Sequence, residues 1–213
     1  MRIILLFLIV FLSPPCFAEI DADAMKEFKS YLGSLKSVAI DFRQEDTRGS
    51  TAEGTLIIVK PNKFACNYYA PYPLFISGNK SYVSVYDFDL GQLSRIDAGD
   101  NMFNFLLTSK VDIENNFHIN EATKTPDEII VELFSTEMDR TTRVTISLKP
   151  HRQLKSIVTE ESDDNVIKLD VQKVSQITDV DDSLFIIRNP EIYGKPARLD
   201  RQKLQEQYRV SKQ

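Results

Sequence analysis

"GTLIIVKPNKFACNYYAPYPLF" (residues 54–75) carries no acidic residue, is dense in aromatics, and is interrupted by Pro61, Pro71 and Pro73. Proline fixes φ and removes a backbone donor, so the stretch cannot be one continuous element. What remains between the prolines alternates with period two, giving strands over Thr55–Val59 and Phe64–Tyr69. The apolar surface of these strands either fills the protein's own core or lines a space meant for an apolar guest.

The same period recurs on both sides of this stretch. Short runs at Ser81–Tyr86, Gln92–Ile96, Ile129–Phe134, Arg143–Leu148, Leu154–Glu160, Val166–Val174 and Phe185–Ile187 lie between turn signals. Strands this short and this closely spaced predict an antiparallel sheet. In "RTTRVTISLK" Val144, Ile146 and Leu148 face one way and Arg143, Thr145 and Ser147 the other, as in a sheet with one wet face. Between Ser81 and Tyr86 neither face is plainly polar. The early strands therefore read as covered on both sides and the later ones on one.

Two helices interrupt the pattern. Met25, Phe28, Leu32 and Leu35 recur at helical spacing between Asp21 and Lys36, with Asp21 or Asp23 as the N-cap. "AGDNMFNFLLTSK" crowds Met102, Phe103, Phe105, Leu106 and Leu107 behind Asp100, which reads as a short, very apolar helix able to cover one face of the sheet. The tail from Lys195 reads as a polar helix or flexible extension.

The chain opens "MRIILLFLIVFLSPPCFAE". One basic residue, an apolar run from Ile3 to Leu12 and a small residue at Ala18 have the layout of a secretory signal peptide, and the run is far short of the roughly 20 residues of a spanning helix. Cleavage after Ala18 is the expectation. A lipoprotein signal retaining Cys16 is disfavoured by Pro15, which stands where such signals place a small residue. Removing 18 of 213 residues leaves 195, enough for one domain, 19–213, whose residues 196–213 form a polar C-terminal extension. Cys66 is then the only cysteine, which rules out an intrachain disulfide. With Arg2 removed, 25 basic residues face 31 acidic ones, a net charge of −6 that disfavours nucleic acid as a partner.

Catalytic parts are scarce. His118 and His151 have no Cys or acidic partner at metal-ligand spacing, Cys66 has no CxxC partner, and no nucleophile elbow, P-loop, GxGxxG or HExxH occurs. The acidic runs "EESDDN" (160–165) and "DVDDS" (179–183) lack the spaced ligands and central glycine of a calcium loop and read as solvated turns. No catalytic residue, metal or cofactor is expected. Of 13 Phe and 8 Tyr, a large share falls between Phe64 and Phe105. Tyrosine suits a surface that must be apolar yet hydrated when empty, so a cavity and a packed core both remain open.

In order, "FRQ" (42–44), "GTLIIVKPNKF" (54–64), "YAPYPLFISGNKSYVSVYD" (69–87), "LGQLS" (90–94) and "FIIRNP" (185–190) resemble the ordered motifs of the LolA-type periplasmic lipoprotein carriers. The resemblance implies a curved, unclosed antiparallel sheet, a half-barrel, with helices covering its concave face over an apolar cavity. It implies a monomeric periplasmic carrier that does no covalent chemistry. Its partners would be acylated lipoproteins, an inner-membrane ABC-type release complex and an outer-membrane acceptor lipoprotein. Phe64, Tyr68, Phe75, Tyr82, Tyr86, Phe103, Phe105 and Leu106 are the candidates to line the cavity, and the N-terminal and Asp100 helices to form its lid. Lys60, standing where that family usually has Arg, is the candidate lid latch, although lysine lacks the planar fork of guanidinium. The segment around Tyr82 is one residue longer than the family pattern, which reads as a bulge, and Cys66 replaces a larger aromatic, which leaves more room. The alternatives are an envelope interaction protein with the same curved sheet and a filled core, and, more distantly, a hydrolase using Asp or Glu.

Overall fold

The structure is a computed structural model that describes residues 20–79, 82–97, 107, 113, 117–135, 142–150, 153–160 and 165–211. The expected signal peptide, the helix after Asp100 with Phe103, Phe105 and Leu106, His151, and most of the 160–165 run lie outside the described residues.

Asp21 is the N-cap of helix α1 (Ala22–Ser34): its carboxylate accepts the N–H groups of Asp23 (2.8 Å) and Ala24 (3.2 Å), two of the donors that a helix start leaves unpaired. Asp23 sits in the first turn, where its charge suits the helix dipole. Ala24, Met25, Phe28, Tyr31 and Leu32 form the buried face, at the spacing read from the sequence.

Among the described residues twelve strands follow: β1 (Ser37–Asp46), β2 (Thr51–Val59), β3 (Lys63–Tyr68), β4 (Leu74–Gly78), β5 (Tyr82–Asp87), β6 (Gln92–Asp97), β7 (His118–Lys124), β8 (Ile129–Ser135), β9 (Thr142–Lys149), β10 (Gln153–Glu160), β11 (Val166–Thr178) and β12 (Arg209–Val210). Their order across the sheet is β6-β5-β4-β3-β2-β1-β11-β10-β9-β8-β7, with β12 added to β11 and every pairing antiparallel. β6 and β7 stand at opposite ends, so the sheet is curved but unclosed. Three register shifts, at Asp41/Phe42, Ile119/Glu121 and Leu154/Ser156, add local twist to the bend. The bulge expected near Tyr82 is not among them, since β5 pairs in unbroken register from Tyr82 to Asp87.

β1, β4, β7 and β12 are not legible as period-two runs. In β1 the consecutive Val38, Ala39 and Ile40 are all buried, because each face of the strand is covered there and alternation disappears. The Phe185–Ile187 run is no strand. A 3₁₀ turn (Asp182–Phe185), capped by the Asp181 side chain on Ser183 N–H (2.8 Å), carries Leu184 and Phe185 into a core.

Both faces of the early strands are covered. α1 lies on the concave face against β7 and β8, in one core that runs through Val131, Val144, Ile146 and Leu148 to Val38, Ile40, Ile58, Phe64 and Val83. On the other face Ala39, Ile57, Ala65, Phe75 and Tyr86 meet the C-terminal segment. That segment leaves β11, sends Ile187 under the Arg95 guanidinium (Nη2 to carbonyl oxygen 3.0 Å), and forms helix α2 (Pro190–Tyr193). It returns past Asn67, whose amide donates to Leu199 O (3.0 Å), and forms α3 (Arg201–Gln205) and then β12. Asp181 N–H bonds Gln207 O (2.9 Å), so the two ends of this strap meet. The tail is thus polar outside but pinned by Leu204 and Tyr208, both buried. Scattered apolar residues in a polar run give no periodic signal, yet the two that are buried are enough to dock it.

Candidate functional site

Cross-strand partners share a face, so the register fixes what the concave side presents. Nearest α1 runs the row Val38, Ile58, Phe64, Gly78, Val83. Next come Val174, Ile40, Leu56, Cys66, Ile76 and Val85, then Val171, Phe42, Gly54 and Tyr68, then Leu169, Gln44 and Ala52. The face is therefore graded, wholly apolar beside the helix and increasingly polar toward the β1–β2 turn. Leu56, Ile76, Leu169, Val171 and Val174 are only partly buried, so the apolar surface continues beyond what α1 seals.

Two glycines shape this surface. Gly54 pairs with Phe42 and Gly78 with Phe64, and each phenyl ring lies over its glycine. A Cβ at Gly54 would stand 2.6 Å from Phe42 Cζ and 2.7 Å from Asn67 O, and one at Gly78 would enter the Phe64 ring. Phe42 and Tyr68 meet edge to face at 5.3 Å between centroids.

At the polar end a cavity of about 250 Å³ opens, with Ala52, Tyr68, Leu74 and Ile76 as its apolar wall. Gln44, Asp46, Ser50, Thr51 and Tyr72 complete it. Tyr68 donates its hydroxyl proton to Gln44 Oε1 at 2.7 Å, reaching across β2 where the small Ala52 leaves room. Burial pushes the Cys66 thiol up to about 12, tempered by the Tyr68 hydroxyl, so Cys66 is a protonated, small apolar group at neutral pH. Burial likewise raises the Tyr68 hydroxyl.

At the opposite end Lys60 Nζ donates to Leu32 O of α1 at 2.8 Å, while Lys60 N–H bonds Lys36 O (2.8 Å) and Asn62 N–H bonds Leu107 O (3.0 Å). The β2–β3 turn therefore holds α1 and the segment at Leu107 together. Burial keeps the Lys60 ammonium below the usual lysine range.

The sequence-derived lining residues do not all converge. Phe64 and Tyr68 share the concave face, Phe64 under α1 and Tyr68 at the cavity. Phe75 and Tyr86 are cross-strand partners in the core on the other side, beneath the strap, and Tyr82, which precedes Val83 of the concave row, points the same way, its ring under Arg95. β5 is apolar or small on both faces, so its sequence does not tell which side Tyr82 and Tyr86 take, and a one-residue shift in register reverses a strand. The residues on the concave face of those strands are Leu74, Ile76, Gly78, Val83 and Val85. Phe42, Leu56 and Ile76 are the lining side chains that sequence reading passed over. Phe42 belongs to the "FRQ" segment, but consecutive buried residues hide the alternation of β1, so the sequence does not assign its face. Among the described residues no group of three or more His, Cys, Asp and Glu is placed to hold a metal ion, and no helix is long and apolar enough to cross a membrane.

The family model of the outer membrane lipoprotein carrier protein LolA matches residues 33–188. An uncharacterized protein of Rickettsia prowazekii is 38% identical over 95% of this chain and 98% of its own length. An outer-membrane lipoprotein carrier protein of Chromobacterium violaceum is 32% identical over 52% of this chain and 56% of its own, so the alignment spans only about half of that carrier. A crystal structure of a LolA superfamily protein from Nitrosomonas europaea covers 80% of this chain and 99% of that one at TM-score 0.43 and 11% identity, too remote a likeness to add to the fold described above.

Proposed function

Because the chain belongs to the LolA family of outer membrane lipoprotein carrier proteins, a family of non-enzymatic carriers, we propose that it shelters the acyl chains of lipoproteins on the concave face of its sheet and moves them from the inner to the outer membrane. The observation that carries this reading is the graded concave face: beyond the buried rows near α1, the apolar side chains Leu56, Ile76, Leu169, Val171 and Val174 are only partly buried, and Ile76 reaches the cavity at Tyr68. Each methylene hidden from water contributes about 0.8 kcal/mol, so a long chain laid along these rows is held by area alone. Delivery then requires that loading disrupt something. α1 covers the deepest rows, so an incoming chain must compete with Phe28 and Leu32 for them, and the contacts of Lys60 with Leu32 O and of Asn62 with Leu107 O are the ones that break. Their loss on loading keeps net affinity modest.

In this reading the chain works in the periplasm as a single-domain monomer, after removal of residues 1–18. It receives cargo from an ABC-type release complex and passes it to an outer-membrane acceptor. Phe103, Phe105 and Leu106 remain candidates to contact the acyl chains. The test is uptake of a fluorescent fatty-acid probe and mass spectrometry of lipids retained on purification. Retained acylated material and saturable uptake that Ile76→Glu abolishes support the carrier. A folded parent protein that neither retains nor takes up any acyl ligand overturns it, leaving an interaction protein with a filled core.

A further inference from the structure

The cavity at the far end of the concave face differs in chemistry from the rows that lead to it. Its apolar wall is continuous with Ile76, but its rim carries Gln44 and Asp46, two positions apart on β1 and so on one face. Gln44 is oriented by the proton it accepts from Tyr68, which still leaves its oxygen a second lone pair. Asp46 Oδ1 accepts the N–H groups of Arg48 (2.9 Å) and Ser50 (2.9 Å), which holds the carboxylate rigidly in the turn. Those bonds, the Ser50 one first, keep its carboxyl below the usual range, so it stays ionised and can only accept. Arg48 in the same turn is exposed; Asp46 accepts its backbone N–H, and its charge also helps to keep the Asp46 carboxyl ionised.

We infer that this end of the cavity is a head-group subsite, in which Gln44 and Asp46 accept hydrogen bonds from the N–H-bearing head, amide or ammonium, of an amphiphile whose chain runs toward α1. The inference rests on the carrier reading and adds to it a direction of binding and a head chemistry. N–H donors of this kind occur at the acylated N-terminus of a protein, as amides, and on aminophospholipids, as ammonium groups.

The test compares three probes with the same twelve-carbon chain, each below its micelle-forming concentration: laurate, dodecylammonium and an uncharged N-lauroyl dipeptide amide. The two donor heads should bind the full secreted chain about tenfold more tightly than laurate, as charge-assisted and well-oriented hydrogen bonds do. Asp46→Asn keeps the turn bonds but removes the charge and should erase most of the ammonium advantage, while Gln44→Leu should erase that of the amide. Asp127→Asn, which removes one charge from the β7–β8 turn, should leave both ratios unchanged, as should the gain on lengthening a decyl to a dodecyl chain in every variant. Preference for the amide assigns the subsite to acylated protein, and preference for the ammonium alone to an aminolipid. Equal binding of all three heads, tighter laurate binding through Arg48, or equal loss in Asp127→Asn overturns the subsite and leaves the carrier reading standing. Failure of all three probes to bind overturns both.

Discussion

Lys60 Nζ lies 2.8 Å from the carbonyl oxygen of Leu32, so a lysine from the end of β2 caps a helix that brings no basic residue of its own to its last turn. Leu32 O is among the last carbonyls of α1, which lack a full set of intrahelical partners, and a cation there complements the dipole.

Replacing that lysine should loosen α1 specifically. Lys60→Met keeps the aliphatic stem and removes the donor, and should lower stability by about 1 kcal/mol, the bond's gain being partly offset by relief of a half-buried charge. Lys60→Arg should retain the cap. Native-state hydrogen exchange is the readout: faster exchange of α1 amides in the Met variant is expected, and unchanged protection there would remove the capping role.

The two Phe–Gly pairs should be coupled. Gly78→Ala forces the Phe64 ring to move and should cost about 1–3 kcal/mol as overpacking. In the double variant with Phe64→Leu the penalty of Gly78→Ala should shrink by more than half. Additive melting shifts would mean that the ring does not rest on the glycine.

Opposite faces of β4 should give opposite phenotypes. Ile76→Glu, on the partly buried concave side, should abolish acyl-probe uptake with modest loss of stability, whereas Phe75→Ala, in the core under the strap, should cost about 3–5 kcal/mol and leave probe affinity in the remaining folded protein unchanged. Denaturant titration with parallel probe binding separates the two, and the reverse pattern would misplace the binding face.

Tyr31 should govern part of the alkaline limit. Its hydroxyl is buried, and burial raises it from 10.0 to about 12, a rise tempered by hydrogen bonding to the Leu154 backbone. A folded-state value above the unfolded one means that the folded chain holds the proton longer. The associated stability is complete below pH 10.0 and falls as pH rises from 10.0 toward about 12. Tyr31→Phe should be near neutral at pH 7 and should flatten the loss over that window; equal slopes in pH-dependent urea unfolding would exclude Tyr31 as a source.

The strap should be a stabilising cover. Leu204→Ala removes its main buried anchor and should cost about 2–5 kcal/mol. Ser84→Ala, which deletes a buried hydroxyl without a partner on the same face, should be neutral or stabilising by about 1 kcal/mol. Thermal melts of both test whether that face is packed as described.

Alternation in β9 and helical spacing in α1 were legible because each places one face in water and one in a core, so polarity follows orientation residue by residue. The covered early strands, and the candidate site with them, were legible as apolar but not as sided, since Phe64 and Phe75 are equally apolar while one lies under α1 and the other under the strap.

The sequence by itself determined an antiparallel sheet, an N-terminal amphipathic helix capped at Asp21 or Asp23, and the absence of known catalytic motifs, because these depend on local periods and residue chemistry. Only the tertiary structure decided that β1 and β11 meet at the centre, that Phe42 lies on the concave face while Tyr86 lies on the other, and that the tail returns to clasp β11. Those outcomes depend on register and on which distant segment covers a face, and a strand apolar on both sides carries no local record of either.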